Sequence, residues 1–333
     1  MPEPATAAIP GVTHEQVPTN QIELHVATAG PPEGPPVVLC HGFPELWYSW
    51  RHQITALAAA GYRVLAPDLR GYGASSRPHQ VSDYGSDKLT GDLCGLLDHY
   101  GYDTAAFVGH DWGALVLWEM GRLYPARVSS LYNMSVPFSQ SPAPPTEIFG
   151  AIFAGKFFYI MYFQPVGPAE AELEEDPRHF LRTILYSAGG EAMSTTANAL
   201  LVDFPAEGTR FTDTLSPAPE QLPPWLTEHD VDVYAAAFAQ SGFFGPISYY
   251  RNMDANWTRS KDIPASVYAM PVGFLTGALD PVAAMLPGAA EAMAETLPDF
   301  RGGTSVAGAG HWVQQERPSE TNAALLTFLS EVP

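Results

Sequence analysis

From residue 22 onward, short apolar runs alternate with longer stretches whose apolar residues recur every three or four positions. "IELHVATA" (22–29) alternates like a strand, and "PPVVLC" (35–40) reads as a short buried strand. "WRHQITALAAAG" (50–61) is helical and stops at a glycine. The series continues with "RVLAPD" (63–68) as strand, "DKLTGDLCGLLDHYG" (87–101) as helix and "TAAFVGH" (104–110) as strand. "ALVLWEMGRLYP" (114–125) is a helix ending in proline, and "RVSSLYNMSVP" (127–137) is again a strand. Strands separated by helices predict a parallel sheet built from right-handed crossovers.

The rhythm then stops. Residues 138–262 hold no convincing strand. They contain "EIFGAIFAGKFFYIMYFQ", "PAEAELEEDPRHFLRTILYSA" and "TEHDVDVYAAAFAQSGF", all of helical character, joined by Pro-rich turns such as "SPAPP", "LSPAPEQLPPW" and "FFGPIS". Strand and helix return with "MPVGFLTGALD", "AAEAMAETLP", "GGTSVAGAG" and "SETNAALLTFLSEV". The expected architecture is α/β: a mostly parallel central sheet flanked by helices (residues 1–137 and 263–333), with a helical cap (138–262) inserted in it. A long Gly- and Pro-containing loop is expected over residues 189–223, placed where it could gate access.

Composition narrows the function. Lys and Arg number 16 against 36 Asp and Glu, a formal net charge of −20. Such a surface repels phosphate backbones and anionic headgroups, so neither nucleic acid nor membrane is an expected partner. No stretch of about 18 uncharged apolar residues suggests a transmembrane helix. The first residues, "MPEPATAAIPGV", have no basic or apolar segment of a signal peptide, and the two cysteines, Cys40 and Cys94, read as buried thiols. A cytoplasmic protein is expected. The sequence leaves room for a homodimer.

Ligands of open α/β sheets bind where strands end. Four polar features follow predicted strands: "HGFPE" after residue 40, Asp111 within "FVGHDWGA", Asp280 in "FLTGALDP" and His311 in "GAGHW". Gly109 and Gly113 frame Asp111 as the glycines of a G-x-S-x-G nucleophile elbow frame its serine. Singly, each has a plainer reading: an Asp after a strand is usually a helix N-cap, and a lone His is usually structural. Together they occur in the chain order nucleophile, acid, histidine. His41 reads as shaping the "HGFP" loop, His110 as filling space beside the elbow, and Glu45 as a solvated loop carboxylate.

With "HGFPE", "GHDWGA", Asp280 and His311, the chain resembles the soluble epoxide hydrolases of the α/β-hydrolase superfamily. "YIMYFQPVGPAEAELEED" and "GFFGPISYYRNMDANW" resemble that family's cap segments, and the likeness runs from about residue 15 to the C-terminus. It implies two cap tyrosines acting as acids, matching Tyr159 and Tyr250, with Tyr162 and Tyr249 as their near neighbours. The aromatic stripe around Tyr159 would otherwise read as packing.

A carboxylate is an anion at neutral pH and needs no base to act as a nucleophile. Asp111 would open the epoxide of a small apolar substrate by backside displacement, forming an alkyl ester, while the tyrosines receive the alkoxide. His311, oriented by Asp280, would then activate water to attack the ester carbonyl. The backbone N–H groups of Phe43 and Trp112 would form the oxyanion hole. Phe43, Trp112 and Phe138 are the candidates for lining the substrate site. No cofactor and no metal is implied. The alternative is a haloalkane dehalogenase, which also uses an Asp nucleophile but needs no tyrosine acids. A binding protein that has lost its chemistry is disfavoured by the presence of all three of Asp111, Asp280 and His311.

Overall fold

The computed structural model describes residues 9–196 and 204–332. Eight strands form one sheet: β1 (Thr13–Pro18), β2 (Glu23–Ala29), β3 (Pro36–Cys40), β4 (Arg63–Pro67), β5 (Ala105–His110), β6 (Val128–Met134), β7 (Val272–Gly277) and β8 (Phe300–Val306). Their order is β1-β2-β4-β3-β5-β6-β7-β8. β1 and β2 pair antiparallel, as do β2 and β4, and every other pair is parallel. β5 is central and buried along its whole length, which is why it reads as an unbroken apolar run rather than an alternation. β1 was not anticipated. "THEQVP" is an edge strand whose residues are mostly exposed and polar, so it carries no hydrophobic pattern.

Helices α1 (Arg51–Ala59), α2 (Ser86–Tyr100) and α3 (Trp112–Leu123) connect the first strands. Eight described helices lie between β6 and β7: α4 (Pro145–Ile152), α5 (Tyr159–Tyr162), α6 (Pro168–Leu173), α7 (Pro177–Ser187), α8 (Gly190–Thr196), α9 (Glu228–Ser241), α10 (Phe244–Arg251) and α11 (Met253–Ser260). Then come α12 (Pro281–Met285), α13 (Ala289–Thr296), α14 (Val313–Glu316) and α15 (Pro318–Ser330). Among the described residues no helix is long and apolar enough to cross a membrane.

Several helical boundaries differ from expectation. "EIFGAIFAGKFFYIMYFQ" is not one helix: Gly155, at φ +72°, breaks it between α4 and α5. "PAEAELEEDPRHFLRTILYSA" breaks at Pro177, and Asp176 caps α7 by accepting from the His179 N–H at 2.9 Å. "FFGPIS" is no turn, because Pro246 sits in the first turn of α10, where a missing N–H costs nothing. Of the expected 189–223 loop, α8 takes Gly190–Thr196 and a 3₁₀ turn takes Thr212–Thr214, while residues 197–203 lie outside the described residues. Both cysteines are free; Cys40 is buried as expected, but Cys94 is only half-buried.

Candidate active site

The sharp turn after β5 is the centre of the site. Asp111 sits at φ +52°, ψ −117°, a strained conformation for a residue with a side chain. Two glycines permit it. A Cβ on Gly113 would lie 2.0 Å from the carbonyl oxygen of Cys40, and one on Gly109 would lie 2.8 Å from the Ala114 nitrogen. The turn therefore packs against the end of β3 more closely than any side chain would allow, and Asp111 is pushed out above the sheet.

The loop after β3 meets it from one side. The Phe43 N–H donates to Asp111 Oδ1 at 2.8 Å. Gly42 permits that approach, since a Cβ there would fall 2.4 Å from the Asp111 Cβ. The first helical bond of α3 is Leu115 N–H to the Asp111 carbonyl, so the Trp112 N–H precedes the helical ladder, as an oxyanion donor must.

From the other side come the ends of β7 and β8. Asp280 is buried and caps α12 through the Val282 N–H, 2.9 Å from its Oδ1. The same Oδ1 lies 3.0 Å from His311 Nδ1, which donates to it, and His311 Nε2 stands 3.6 Å from Asp111 Oδ2. Burial pushes the Asp111 carboxyl up, but His311, His110 and the Phe43 N–H more than offset it and hold it below its ordinary value. Asp280 is lowered in the same way: burial opposes, and His311, Ser135 and the Val282 N–H prevail. Burial favours neutral His311, yet the charges of Asp280 and Asp111 raise its pKa well above the ordinary histidine value.

Residues between β6 and β7 also reach the turn. The Tyr250 ring stands edge-on to Trp112 at 4.8 Å, Phe43 at 5.6 Å and Tyr159 at 5.9 Å between centroids. Burial raises the pKa of both phenols, and the negative charge of Asp111 raises each further. The neighbouring tyrosines are engaged elsewhere. Tyr162 donates to Glu172 Oε2 at 2.6 Å, and Tyr249 to the Arg70 carbonyl at 2.8 Å.

The family described as the alpha/beta hydrolase fold matches residues 35–164. The chain is 44% identical over 319 residues to epoxide hydrolase A of Mycobacterium tuberculosis, covering 96% of this chain and 97% of that one. It is 38% identical over 328 residues to epoxide hydrolase 3 of Siraitia grosvenorii, covering 96% and 99%. The crystal structure of epoxide hydrolase A from Mycobacterium thermoresistibile superposes with a TM-score of 0.89 at 44% identity, covering 97% of this chain and 99% of that one. The chain belongs to the epoxide hydrolase family.

In this epoxide hydrolase two expectations need correction. Glu45 is not solvated. It is fully buried, and its carboxylate accepts from the Gly42 N–H at 2.9 Å, His110 Nδ1 at 2.6 Å, Gln314 Nε2 at 2.8 Å and Gln315 Nε2 at 3.2 Å. Burial pushes this carboxyl up, and His110 with the Gly42 N–H more than reverses it. His110 does more than fill space, since its Nε2 also meets the His311 carbonyl at 2.8 Å. His41 does shape its loop: Nε2 accepts from the Leu69 N–H at 3.0 Å, and burial lowers its pKa, favouring the neutral ring.

The Phe138 ring packs against Tyr268 at 5.0 Å and Trp118 at 5.4 Å, with the Arg122 guanidinium over it. Sequence reasoning missed Ser135, Gln314, Gln315 and Glu316, which surround the histidine loop. The only signal was position, since each lies a few residues beyond a strand end or beyond His311.

Proposed function

We propose that this epoxide hydrolase works through a covalent alkyl ester on Asp111. The observation that carries the reading is the division of labour between the two carboxylate oxygens. Oδ1 is tied to the Phe43 N–H at 2.8 Å, and Oδ2 is the oxygen left to attack. Displacement at an epoxide carbon forms the Oδ2–carbon bond and breaks the ring C–O bond. Tyr159 and Tyr250 donate to the departing oxygen, and a phenol proton neutralises the alkoxide. Raised phenol pKa values keep both tyrosines protonated until that charge appears. General acid assistance of this kind is worth about 10²–10⁴-fold.

Once the ester forms, Oδ1 is its carbonyl oxygen and already lies in the oxyanion hole, completed by the Trp112 N–H. Esterification also removes the Asp111 charge, which is one of the causes that raise the His311 pKa. His311 is thereby released toward its neutral form, the form that can accept a proton, when one is needed. Its Nε2 takes a proton from water, Asp280 stabilises the resulting imidazolium, and hydroxide adds to the Asp111 carbonyl carbon. Collapse breaks the Oδ2–carbonyl bond, the departing alkoxide takes the proton of the added hydroxyl and leaves as the diol with the carboxylate restored, and the His311 imidazolium gives its proton back to the tyrosine phenolate.

In this reading residues 138–262 are the lid that carries the two phenols, the remaining residues are the core, and Phe43 and Trp112 line the substrate site. The two free thiols fit a reducing cytoplasm. The substrate is a small apolar epoxide, since the walls around Asp111 are aromatic. The test is diol formation from a panel of epoxides by wild type and Asp111→Ala, with intact mass of His311→Gln after exposure to substrate. Activity lost in Asp111→Ala and a mass gain of one substrate in His311→Gln are expected. An active Asp111→Ala enzyme overturns the reading.

A further inference from the structure

Glu316, at the end of α14, is 4% exposed, yet it belongs to no part of the chemistry above. Its Oε1 accepts from the Trp312 N–H at 3.0 Å. Its Oε2 accepts from the Gly310 N–H at 2.9 Å and from the Gly190 N–H at 2.8 Å. One carboxylate thus holds the residues on both sides of His311 and ties them to the start of α8, 126 positions earlier in the chain. Two further bonds cross the same seam: His311 N–H to the Ala188 carbonyl at 2.9 Å, and the Trp312 indole N–H to the Leu185 carbonyl at 2.7 Å.

The glycines show how closely the two segments fit. A Cβ on Gly190 would lie 2.4 Å from the Gly308 oxygen and 3.0 Å from Glu316 Oε2. A Cβ on Gly310 would lie 2.4 Å from the Ala188 oxygen and 2.5 Å from the Gly190 nitrogen. Burial, the largest influence, pushes the Glu316 carboxyl up to about 6, the backbone donors pulling the other way and the charge of Glu191 adding to the rise.

We propose that Glu316 is a positioning residue for the hydrolytic half of the reaction: it clamps Gly310 and Trp312 to the inserted helices and so sets where His311 presents its Nε2. This rests on the two-step reading above. The first step needs only Asp111 and the phenols, and the second needs His311 placed to within a fraction of an ångström, where a 1 Å error costs about 10²-fold. Glu316→Gln keeps the shape but turns an NH₂ toward at least one of three N–H donors, loosening the loop that bears His311.

The test is single turnover of styrene oxide, following ester formation and decay by rapid quench and intact mass. In Glu316→Gln, alkylation should stay within about threefold of wild type and ester hydrolysis should slow by about 10–100-fold. Gly190→Ala, which drives α8 off the carboxylate, should give the same split, and Glu191→Gln should change neither step. Equal slowing of both steps, or unchanged ester decay, overturns the proposal. If Glu316→Gln does not fold, as judged by circular dichroism, Gly190→Ala decides. His311→Gln run in parallel separates the two readings. No ester in that variant defeats the two-step mechanism, whereas an ester there with normal decay in Glu316→Gln defeats only the clamp.

Discussion

His311 Nε2 stands 3.6 Å from Asp111 Oδ2. That is long for a hydrogen bond, so the imidazole is paired with the carboxylate by charge without being locked to it. In the proposed mechanism a water polarised by Nε2 attacks the ester carbonyl of Asp111. After one turnover in ¹⁸O-water, heavy oxygen should therefore appear in the peptide containing Asp111. Mass spectrometry of the digested protein checks this. Label found in the diol alone would mean that water attacks the epoxide directly.

In the proposed mechanism three tyrosines between β6 and β7 should separate by step. Tyr159→Phe and Tyr250→Phe each remove a donor to the leaving oxygen and should slow alkylation by about 10–100-fold, and the double variant by more than either. Tyr162→Phe loses its bond to Glu172 and should cost about 1–3 kcal/mol of stability with little change in alkylation rate. Stopped-flow tryptophan fluorescence and urea unfolding make the comparison. Equal effects of Tyr162→Phe and Tyr159→Phe on alkylation would remove the special role of Tyr159.

Gly42→Ala should lower activity by about 10²–10³-fold while leaving a folded protein. The new Cβ would lie 2.4 Å from the Asp111 Cβ and 2.5 Å from Oδ1, so the loop must withdraw and take the Phe43 N–H with it. Loss of one such donor costs about 2.7–4 kcal/mol in the barrier, a drop of 10²–10³ in rate. Turnover within tenfold of wild type would show that the Phe43 N–H is dispensable.

The two steps should differ in pH dependence. Asp111 titrates below the ordinary carboxylate range and both phenols above theirs, so the alkylation rate should be flat between about pH 5 and 9. Ester hydrolysis needs neutral His311 and should fall on the acid side. Stability follows a different sign. Asp280, depressed in the folded state, contributes stability that is full above its unfolded pKa of about 3.9 and is lost as pH falls through its folded value. His311, raised in the folded state, contributes stability that is full below about 6.5 and is lost as pH rises through its folded value. The difference in urea midpoint between wild type and Asp280→Asn should therefore shrink as the solution is taken below about pH 4. A difference that grows with acid would contradict the depressed Asp280.

Glu45→Gln should destabilise the protein by about 3–5 kcal/mol, the usual result of removing one partner from a buried charged network. Four donors converge on that carboxylate, and an amide can satisfy no more than part of them. Urea unfolding at neutral pH measures the cost, and a change under 1 kcal/mol would show that the network carries little.

What could be read along the chain was whatever depends on neighbours in sequence. The elbow was legible because Gly109, Asp111 and Gly113 lie within five residues, and a turn that sharp needs glycine at both ends. Asp280 and His311 were legible because each follows an apolar run. Glu45 was misread because its four partners come from Gly42, His110, Gln314 and Gln315, and no local pattern announces that they meet. The packing partners of Phe138, Trp118 and Tyr268, lie in α3 and before β7, beyond the reach of any local pattern. β1 was missed because an edge strand facing water has no hydrophobic period to see.

The sequence by itself determined the alternation of strand and helix, the interruption between β6 and β7, and a carboxylate at the strained turn, because periodicity and glycine spacing are local properties of a chain. Only the tertiary structure decided which tyrosines stand against Trp112 and Phe43, which are consumed by Glu172 and Arg70, and that one buried carboxylate, Glu45, joins His110 and Gly42 on either side of Asp111. Those facts depend on the direction of side chains brought together from distant segments, and direction is fixed by packing.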